Sequence, residues 1–228
     1  MILDRLKQEL GERFPFIPDF LNNLIQRYSS DTTQFGESKF LDTLPEKGIY
    51  IEIGAYQPHL GSNSWHLVRK KRSWQGISVD PNPHVRWLWQ LFRPSDVFIN
   101  KAVVGAALSG DDKVWMNFFP RRYGGLNSIK SNSFGHITSK SKGQVGAISL
   151  EDLLQMSNSL FGKPDLIMID VEGYDIELVR VLLSLDTEFQ PNYLLLEDLD
   201  LSIAPLLRGS PYLLIEKLGP SSAYKKYL

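Results

Sequence analysis

Acidic residues follow several apolar stretches of this chain, and their positions suggest roles in ligand binding or catalysis. Asp80 follows GISV, Asp170 and Glu172 follow LIMI, and Glu197 and Asp198 follow YLLL. Carboxylates can hold the two hydroxyls of a ribose, bind a divalent cation or accept a proton. Because each group follows an apolar run, we expect the groups to share one edge of a sheet.

A glycine turn follows the first apolar run and precedes Asp80. The run ends at Gly54 and Ala55, where the missing side chain of glycine lets a ligand approach the backbone. The next glycine is Gly61, so the G-x-G-x-x-G pattern of dinucleotide sites is absent. A glycine turn and a strand-end acid within one β-α-β unit favour a nucleoside cofactor, and Asp80 would hold its ribose.

The charge of the strand ends indicates which cofactor is suited. A pyrophosphate prefers backbone amides and basic side chains. Here the strand ends present the carboxylates of Glu52, Asp80, Asp170, Glu172, Glu197 and Asp198. S-adenosylmethionine carries a ribose, a sulfonium and an amino group, so it suits this acidic edge better than NAD.

The hydrophobic pattern alternates strands with helices. Predicted strands cover 48–54, 75–79, 96–104, 113–119, 164–170 and 192–198, predicted helices cover 62–71, 83–92, 148–156 and 173–185, and a hairpin covers 210–219 and 223–228. Strands that alternate with helices form parallel sheets with right-handed crossovers. The sequence therefore predicts an α/β fold with a doubly wound, Rossmann-like sheet, whose ligands bind at the carboxyl ends of the strands.

Helical patterns precede this alternation. Residues 1–34 are predicted to form a helical cap, broken by Pro15 and Pro18, and residues 35–228 to form the main domain with a short helix over 37–44. Apolar residues recur at helical spacing at Ile2, Leu3, Leu6, Leu10 and Phe14. This amphipathic stretch would pack on the main domain, with docking to a membrane surface or a partner as the alternatives.

Composition excludes several classes of protein. Lys plus Arg total 25 and Asp plus Glu total 26, and this balance argues against nucleic acid as the main partner. The absence of cysteine excludes disulfides and thiolate sites and fits the cytoplasm, the predicted location. The apolar runs are far shorter than the roughly 18 residues of a transmembrane helix. The oligomeric state stays open.

Several segments resemble the FkbM-type S-adenosylmethionine-dependent methyltransferases. YIEIGAYQPHLGSNSWHLVRKKRSWQGISVDPNP (50–83) is similar to their first half, FGESKFLDTL (35–44) to the segment before it, and ISLEDLL (148–154) and LIMIDVEGYDIELV (166–179) to later motifs. The likeness covers 35–218 in order. Asp80 stands where the family usually has Glu, Ser64 replaces Thr, and Tyr56-Gln57 replaces Asn-Asp. The resemblance implies a class I methyltransferase sheet.

The resemblance also implies a cofactor site. Its residues would be Glu52, Gly54, Ala55, Ser62, Asn63, Ser64, Asp80, Pro81, Asn82, Lys101 and Ala102. Gly54 and Ala55 would back the methionine part, and Lys101 and Ala102 would meet the adenine. The three residues 62–64 would cap a helix whose amides lie beside the cofactor carboxylate.

The resemblance further implies methyl transfer to an oxygen, and we expect a sugar hydroxyl of a glycan or of a glycosylated natural product as the acceptor. Asp170, Glu172 and His136 are the candidate catalytic residues, and Asp170, Glu197 and Asp198 are candidate ligands of Mg²⁺. The alternatives are an NAD(P)-linked oxidoreductase and a non-catalytic nucleoside-binding or scaffold protein on the same fold.

The segment 120–146 is long and polar, which predicts a loop that acts as a substrate lid. Its basic residues could grip an anionic, for example phosphorylated or acidic, sugar; a solvated loop is the alternative. These residues are Arg121, Arg122, Lys130, Lys140 and Lys142. Nearby, Trp115 and Tyr123 could stack on a sugar ring.

Overall fold

A computed structural model gives the structure of the chain. It describes residues 17–29, 33–71, 73–105, 108, 112–119, 125–130, 133–197 and 202–227. The predicted amphipathic stretch before residue 17, and Asp198, Arg121, Arg122 and Tyr123, lie outside the described residues.

The elements follow the predicted alternation. The helices are α1 (Ile17–Gln26), α2 (Ser38–Thr43), α3 (Asn63–Lys70), α4 (Arg86–Phe92), α5 (Leu150–Leu160), α6 (Asp175–Ser184) and α7 (Ile203–Leu207). The strands are β1 (Lys47–Ile53), β2 (Ser73–Val79), β3 (Val97–Ile99), β4 (Ala102–Val104), β5 (Lys113–Phe118), β6 (Ser133–Phe134), β7 (Ile137–Thr138), β8 (Ser141–Ser149), β9 (Leu166–Ile169), β10 (Tyr193–Glu197), β11 (Tyr212–Leu218) and β12 (Ser221–Lys226).

The main sheet has seven strands in the order β11-β12-β10-β9-β1-β2-β3. β12 runs antiparallel to both neighbours, and the other pairings are parallel. At the centre, each residue of β9 is at most 2% exposed, because helices and loops cover both faces of the sheet. The predicted doubly wound α/β fold and its terminal hairpin are confirmed.

A second sheet, in the order β4-β8-β5, corrects two predictions. The single strand predicted over 96–104 is two strands in different sheets. Between them, the Asn100 side chain donates to the carbonyl oxygens of Asp80 (2.7 Å) and Asn82 (3.0 Å), which turns the chain out of the main sheet. The loop predicted over 120–146 contains β6, β7 and the start of β8.

Polar contacts and a proline mark the starts of two helices. Ser149 caps α5 by accepting a hydrogen bond from the Asp152 amide (3.0 Å). Pro18 lies in the first turn of α1, where a missing N–H leaves no hydrogen bond unmade, and the predicted break at Pro15 lies outside the described residues. In the part of the chain that the structure describes, no helix has the length and apolar character to cross a membrane.

Asn23 joins α1 to the loop that follows β1. Its side chain, which is 0% exposed, donates to Gln57 Oε1 (2.7 Å) and accepts from the His59 amide (3.0 Å). His59 Nδ1 lies 3.0 Å from the Asn23 carbonyl oxygen. These hydrogen bonds attach α1 to the loop that follows β1. The predicted domain division at residue 34 stays a prediction.

Candidate functional site

A cavity of about 580 Å³ lies over the carboxyl ends of β1, β2, β9 and β10. The predicted site residues that line it are Gly54, Asp80, Pro81, Lys101, Ala102, Asp170, Glu172 and Glu197. Predicted residues from five segments of the sequence therefore meet in one place, as expected for a doubly wound sheet.

The backbone conformation and the neighbouring strand both require glycine at position 54. It has φ +88°, and a Cβ built on it would lie 1.6 Å from the Asp170 carbonyl oxygen. The Asp170 amide also donates to the Ile53 carbonyl oxygen (3.0 Å). Glycine at position 54, which was expected to let a ligand approach, thus also lets the ends of β1 and β9 approach each other. Both strand ends carry site residues.

Asp80 is buried, and two backbone amides hold its carboxylate. The amide of Tyr56 donates to Oδ2 (2.9 Å), and that of Asn82 donates to Oδ1 (2.8 Å). Burial raises the pKa of Asp80 to about 6, and the two amides act against this rise. Each oxygen keeps a second lone pair, so the carboxylate can still accept two hydroxyls from the cavity.

Glu52 lies beside the N-terminus of α3 and takes the role predicted there for a ligand. Its Oε1 accepts from the amides of Asn63 (3.0 Å) and Ser64 (3.1 Å), and its Oε2 accepts from Ser78 Oγ (3.3 Å). Ser62 caps the helix, as predicted, through the Trp65 amide (3.1 Å). The first amides of α3 thus meet Glu52, and the place of residues 62–64 beside the cofactor carboxylate stays a prediction.

The rest of the predicted cofactor set lies around the large cavity. Glu52, Ala55 and Asn63 line a smaller space of about 30 Å³ beside it. Asn82 is buried and holds the turn, since its Oδ1 accepts from the His84 amide (3.0 Å). Ser62 and Ser64 are buried next to Arg93.

Arg93 is a structural residue that sequence reasoning missed. It is 3% exposed, donates to Ser64 Oγ (2.9 Å) and Tyr50 Oη (3.1 Å), and pairs with Asp96 (Nε to Oδ2, 2.6 Å). Its guanidinium carbon lies 4.6 Å from the centre of the Trp89 ring. The i,i+3 spacing of Arg93 and Asp96 at the end of α4 was the available signal.

Asp170, Glu172 and Glu197 form an acidic cluster at one side of the cavity. Each offers a carboxylate oxygen, and these oxygens lie within 4.8 Å of one another. Burial, followed by the negative charges of Glu197 and Glu172, raises the pKa of Asp170 well above its usual range. Burial raises the pKa of Glu172 to about 8 and also raises that of Glu197. Such a cluster can take up a proton or hold a cation.

Glu172 occupies a backbone conformation that non-glycine residues rarely adopt, with φ 52°. Asp175 stabilises this turn by accepting from the amides of Val171 (3.1 Å) and Gly173 (3.0 Å). Ser128 Oγ donates to the Glu172 carbonyl oxygen (2.8 Å). Strain of this kind persists where the surroundings determine it and is often found at functional sites.

Part of the predicted lid is hydrogen-bonded to β5 beside the cavity. Ser128 and Asn117 exchange two backbone hydrogen bonds, of 2.9 and 3.2 Å, which joins residues 125–130 to β5. Leu126, Asn127 and Ile129 line the cavity. Backbone pairing therefore positions residues 125–130 beside the cavity, and the role of 120–146 as a substrate lid stays a prediction.

Residues before position 36 also form part of the cavity wall. Gln26, Thr33, Gln34 and Phe35 line it, although the sequence pattern assigned the first three to a separate cap. Their contribution was missed because it depends on how the N-terminal segment docks on the sheet, which no local pattern of the sequence shows.

The histidines stay away from the acidic cluster. His136 is exposed in the turn between β6 and β7 and does not line the cavity, so the structure does not support it as the predicted base. A β-hairpin holds it there. His59 is fully buried in the loop after β1, and burial lowers its pKa to about 4.

The order of the main sheet, with one antiparallel strand beside the edge strand β11, is that of the class I methyltransferase fold. No protein-family pattern matches the chain, and no curated protein sequence matches it. Among solved structures, it is similar to the fibrillarin pre-rRNA processing protein of Methanococcus jannaschii, with 9% sequence identity and a TM-score of 0.40 over 81% of this chain and 69% of that chain. So distant a likeness assigns no activity, and the FkbM-type likeness stays a resemblance of motifs.

Proposed function

We propose that the chain is an S-adenosylmethionine-dependent O-methyltransferase that acts on a sugar hydroxyl of a glycan or a glycosylated natural product. The observation that carries this proposal is one cavity with Asp80 at the end of β2 and the acidic cluster at the ends of β9 and β10. The first group suits a ribose, and the second suits a cationic centre and a proton.

The residues of the cavity fit this cofactor. Asp80 has lone pairs for both ribose hydroxyls, and Pro81, Lys101 and Ala102 lie next to it for the adenine. The neutral polar residues Gln26 and Gln34 also line the cavity and would meet the amino-acid end of the cofactor. When bound, the cofactor supplies a methyl group on a positively charged sulfur.

The chain's own residues position the acceptor and receive its proton. In the overall transfer, the sulfur–carbon bond breaks, a carbon–oxygen bond forms and the hydroxyl proton leaves. The products are S-adenosylhomocysteine, a methyl ether and a proton. Asp170 and Glu172 hold this proton, since their raised pKa values make them better bases than ordinary carboxylates. Positioning by the cavity walls accounts for the rest of the acceleration.

Mg²⁺ is a second way to handle the same proton. Asp170, Glu172 and Glu197 have the donor chemistry and the proximity that this ion requires, with Glu172 joining Asp170 and Glu197 of the predicted set. The ion would lower the pKa of a hydroxyl bound to it. Under this scheme, Glu197→Gln lowers turnover strongly and a chelator abolishes activity that added Mg²⁺ restores. Without metal, a chelator has no effect.

The two alternatives receive less support from the site. An NAD(P)-linked oxidoreductase would place a pyrophosphate near the ends of β1 and β2, where Glu52 already occupies the amides of Asn63 and Ser64. A non-catalytic nucleoside-binding or scaffold protein has no use for three crowded carboxyls, whose repulsion destabilises the fold.

Calorimetric titration with S-adenosylhomocysteine tests the cofactor site. The wild type should bind, and Asp80→Ala should weaken binding by roughly 1.5–3 kcal/mol, because hydrogen bonds to a charged group are lost. Asp80→Asn keeps the size of the side chain and should also weaken binding, which separates charge from packing. Asp186→Ala, at an exposed position, is the matched control. An inert wild type, or unchanged affinity in both Asp80 variants, contradicts the proposal.

A further inference from the structure

One face of the small sheet carries lysines and a tryptophan. In the antiparallel pairing of β5 with β8, Lys113, Trp115 and Asn117 lie opposite Gly146, Gln144 and Lys142. Side chains of alternate residues share a face. Lys113, Trp115, Lys142 and Gln144 are therefore on one side, and all four are exposed. We call these four residues the lysine–tryptophan face.

The charge of this face has a single sign. The sequences of β4, β5 and β8 contain Lys113 and Lys142 and no acidic residue. The cavity, in contrast, is lined by four carboxylates, those of Asp80, Asp170, Glu172 and Glu197. A molecule that touches both regions meets positive charge at one end and negative charge at the other.

Trp115 is an exposed aromatic side chain in the middle of this positive charge. It is 55% exposed, whereas the neighbouring residues Val114 and Met116 on the other face are 4% and 3% exposed. Lys142 Nζ lies 5.9 Å from the centre of its ring. An indole surface with an adjacent cation and the amide of Gln144 suits a sugar ring that carries an acidic group.

Lys101 connects the face to the cavity. It lines the cavity, and a Cβ built on Gly146 would lie 3.3 Å from its Cγ, so its aliphatic stem packs over β8 on the same side as Trp115. Lys101 and Trp115 are separated by two strand spacings and one row of side chains, which is a distance of about 12 Å. A disaccharide spans this distance.

We propose that the lysine–tryptophan face binds the non-reacting, negatively charged part of the acceptor: a sugar unit that bears a phosphate or carboxylate. This inference rests on the proposed function and narrows its substrate class. The separation of charge orients the acceptor, because the lysines attract its anionic group while the acidic cluster repels that group and admits the neutral hydroxyl.

A nucleic acid fits the same observations less well. Its phosphates repeat along the whole strand, so a strand that runs from Trp115 into the cavity would bring phosphates to the four carboxylates. The net charge of −1 also gives no general attraction for a polyanion. A sugar with a single acidic group avoids both difficulties.

NMR titration of the ¹⁵N-labelled full chain tests the proposal. The indole N–H signal of Trp115 is assigned by its absence in Trp115→Phe. Glucose 6-phosphate and glucuronic acid should shift this signal, and glucose should bind at least about tenfold more weakly. Trp115→Ala, Lys113→Gln and Lys142→Gln should each weaken binding of the anionic sugars. Lys47→Gln, an exposed lysine at the other end of the main sheet, should not.

Several outcomes would overturn the proposal. These are no shift with either anionic sugar, equal binding of glucose, an equal loss in Lys47→Gln, and tighter binding of a single-stranded oligouridylate through the same residues. Titration of the same variants with S-adenosylhomocysteine separates the two proposals. If the face binds anionic sugars but the wild type does not bind this compound, the methyltransferase proposal fails and the sugar-binding face remains.

Discussion

Asp80 and Asp170 both follow buried parallel strands at the edge of one cavity, yet their surroundings differ. Two backbone amides hold the Asp80 carboxylate. Asp170 faces the carboxylates of Glu172 and Glu197. Burial raises the pKa of both; Glu52 adds to the rise for Asp80, whereas Glu197 and Glu172 add to it for Asp170.

The surroundings of Asp80 therefore form a binding region, and the surroundings of Asp170 form a reacting region. Around Asp80, the hydrogen bonds that shape the loop are already made, so a ligand finds a fixed surface. Around Asp170, three carboxyl groups lie close together, and binding a proton or a cation lowers their mutual repulsion. Gly54 lies where the two regions touch, and the following predictions act on one region, on the other or on this contact.

Gly54→Ala should disrupt both regions at once. The new Cβ would lie 1.6 Å from the Asp170 carbonyl oxygen, so the strand ends must separate. We expect the free energy of unfolding in urea to fall by more than about 3 kcal/mol. Gly173→Ala is the control: its φ of +89° is similar, but no atom lies within 4 Å of the added Cβ, so the loss should be about 1 kcal/mol. Equal losses would show that the close contact is unimportant.

Asp170→Asn should abolish the reaction and spare the fold. Turnover, measured as S-adenosylhomocysteine released with an acceptor sugar, should fall on the order of 10²–10⁴-fold because the proton acceptor is lost. The free energy of unfolding at neutral pH should stay the same or rise, since a neutral amide replaces one member of a crowded acidic cluster. Asp186→Asn is the exposed control, and near-normal turnover in Asp170→Asn would refute the assigned role.

Acid should weaken the binding region through His59. Its pKa is about 4 in the fold against 6.5 ordinarily, so the unfolded chain takes up a proton more readily. The stabilisation is complete above pH 6.5 and is lost as the pH falls towards 4, by up to about 3 kcal/mol. Urea unfolding across this range, compared with His59→Gln, measures it. Parallel pH curves for the two proteins would exclude His59 as the cause.

Ser128→Ala should have the smallest effect and act on the reacting region alone. It removes the hydrogen bond to the Glu172 carbonyl oxygen and the one that Ser128 Oγ accepts from the Lys130 amide (3.2 Å), with a loss of about 1 kcal/mol in stability. Turnover and its pH profile should change, while S-adenosylhomocysteine affinity stays constant. Ser157→Ala removes a similar buried bond, to the Gly162 carbonyl oxygen (3.2 Å), far from the cavity, and should change stability only. An unchanged pH profile in Ser128→Ala would show that this bond does not position Glu172.

Much of the main sheet was predictable because its strands are short apolar runs with clear boundaries. β9 reads LIMI between polar residues, and α6 carries Leu178, Val179 and Leu182 on one face. Patterns of this kind depend only on neighbours in the chain. The split at Asn100 was not predictable, because it depends on bonds to the carbonyl oxygens of residues 80 and 82.

The sequence by itself determined the alternation of strands and helices, the acids at strand ends and the glycine turn, since each is a local pattern. Tertiary structure alone decided what each acid meets. Glu52 satisfies a helix N-terminus, Asp80 accepts two amides, and Asp170 gathers two further acids across strands distant in sequence. The reason is physical: the behaviour of a carboxylate depends on the charges, donors and burial around it, and these come from segments that only the folded chain brings together.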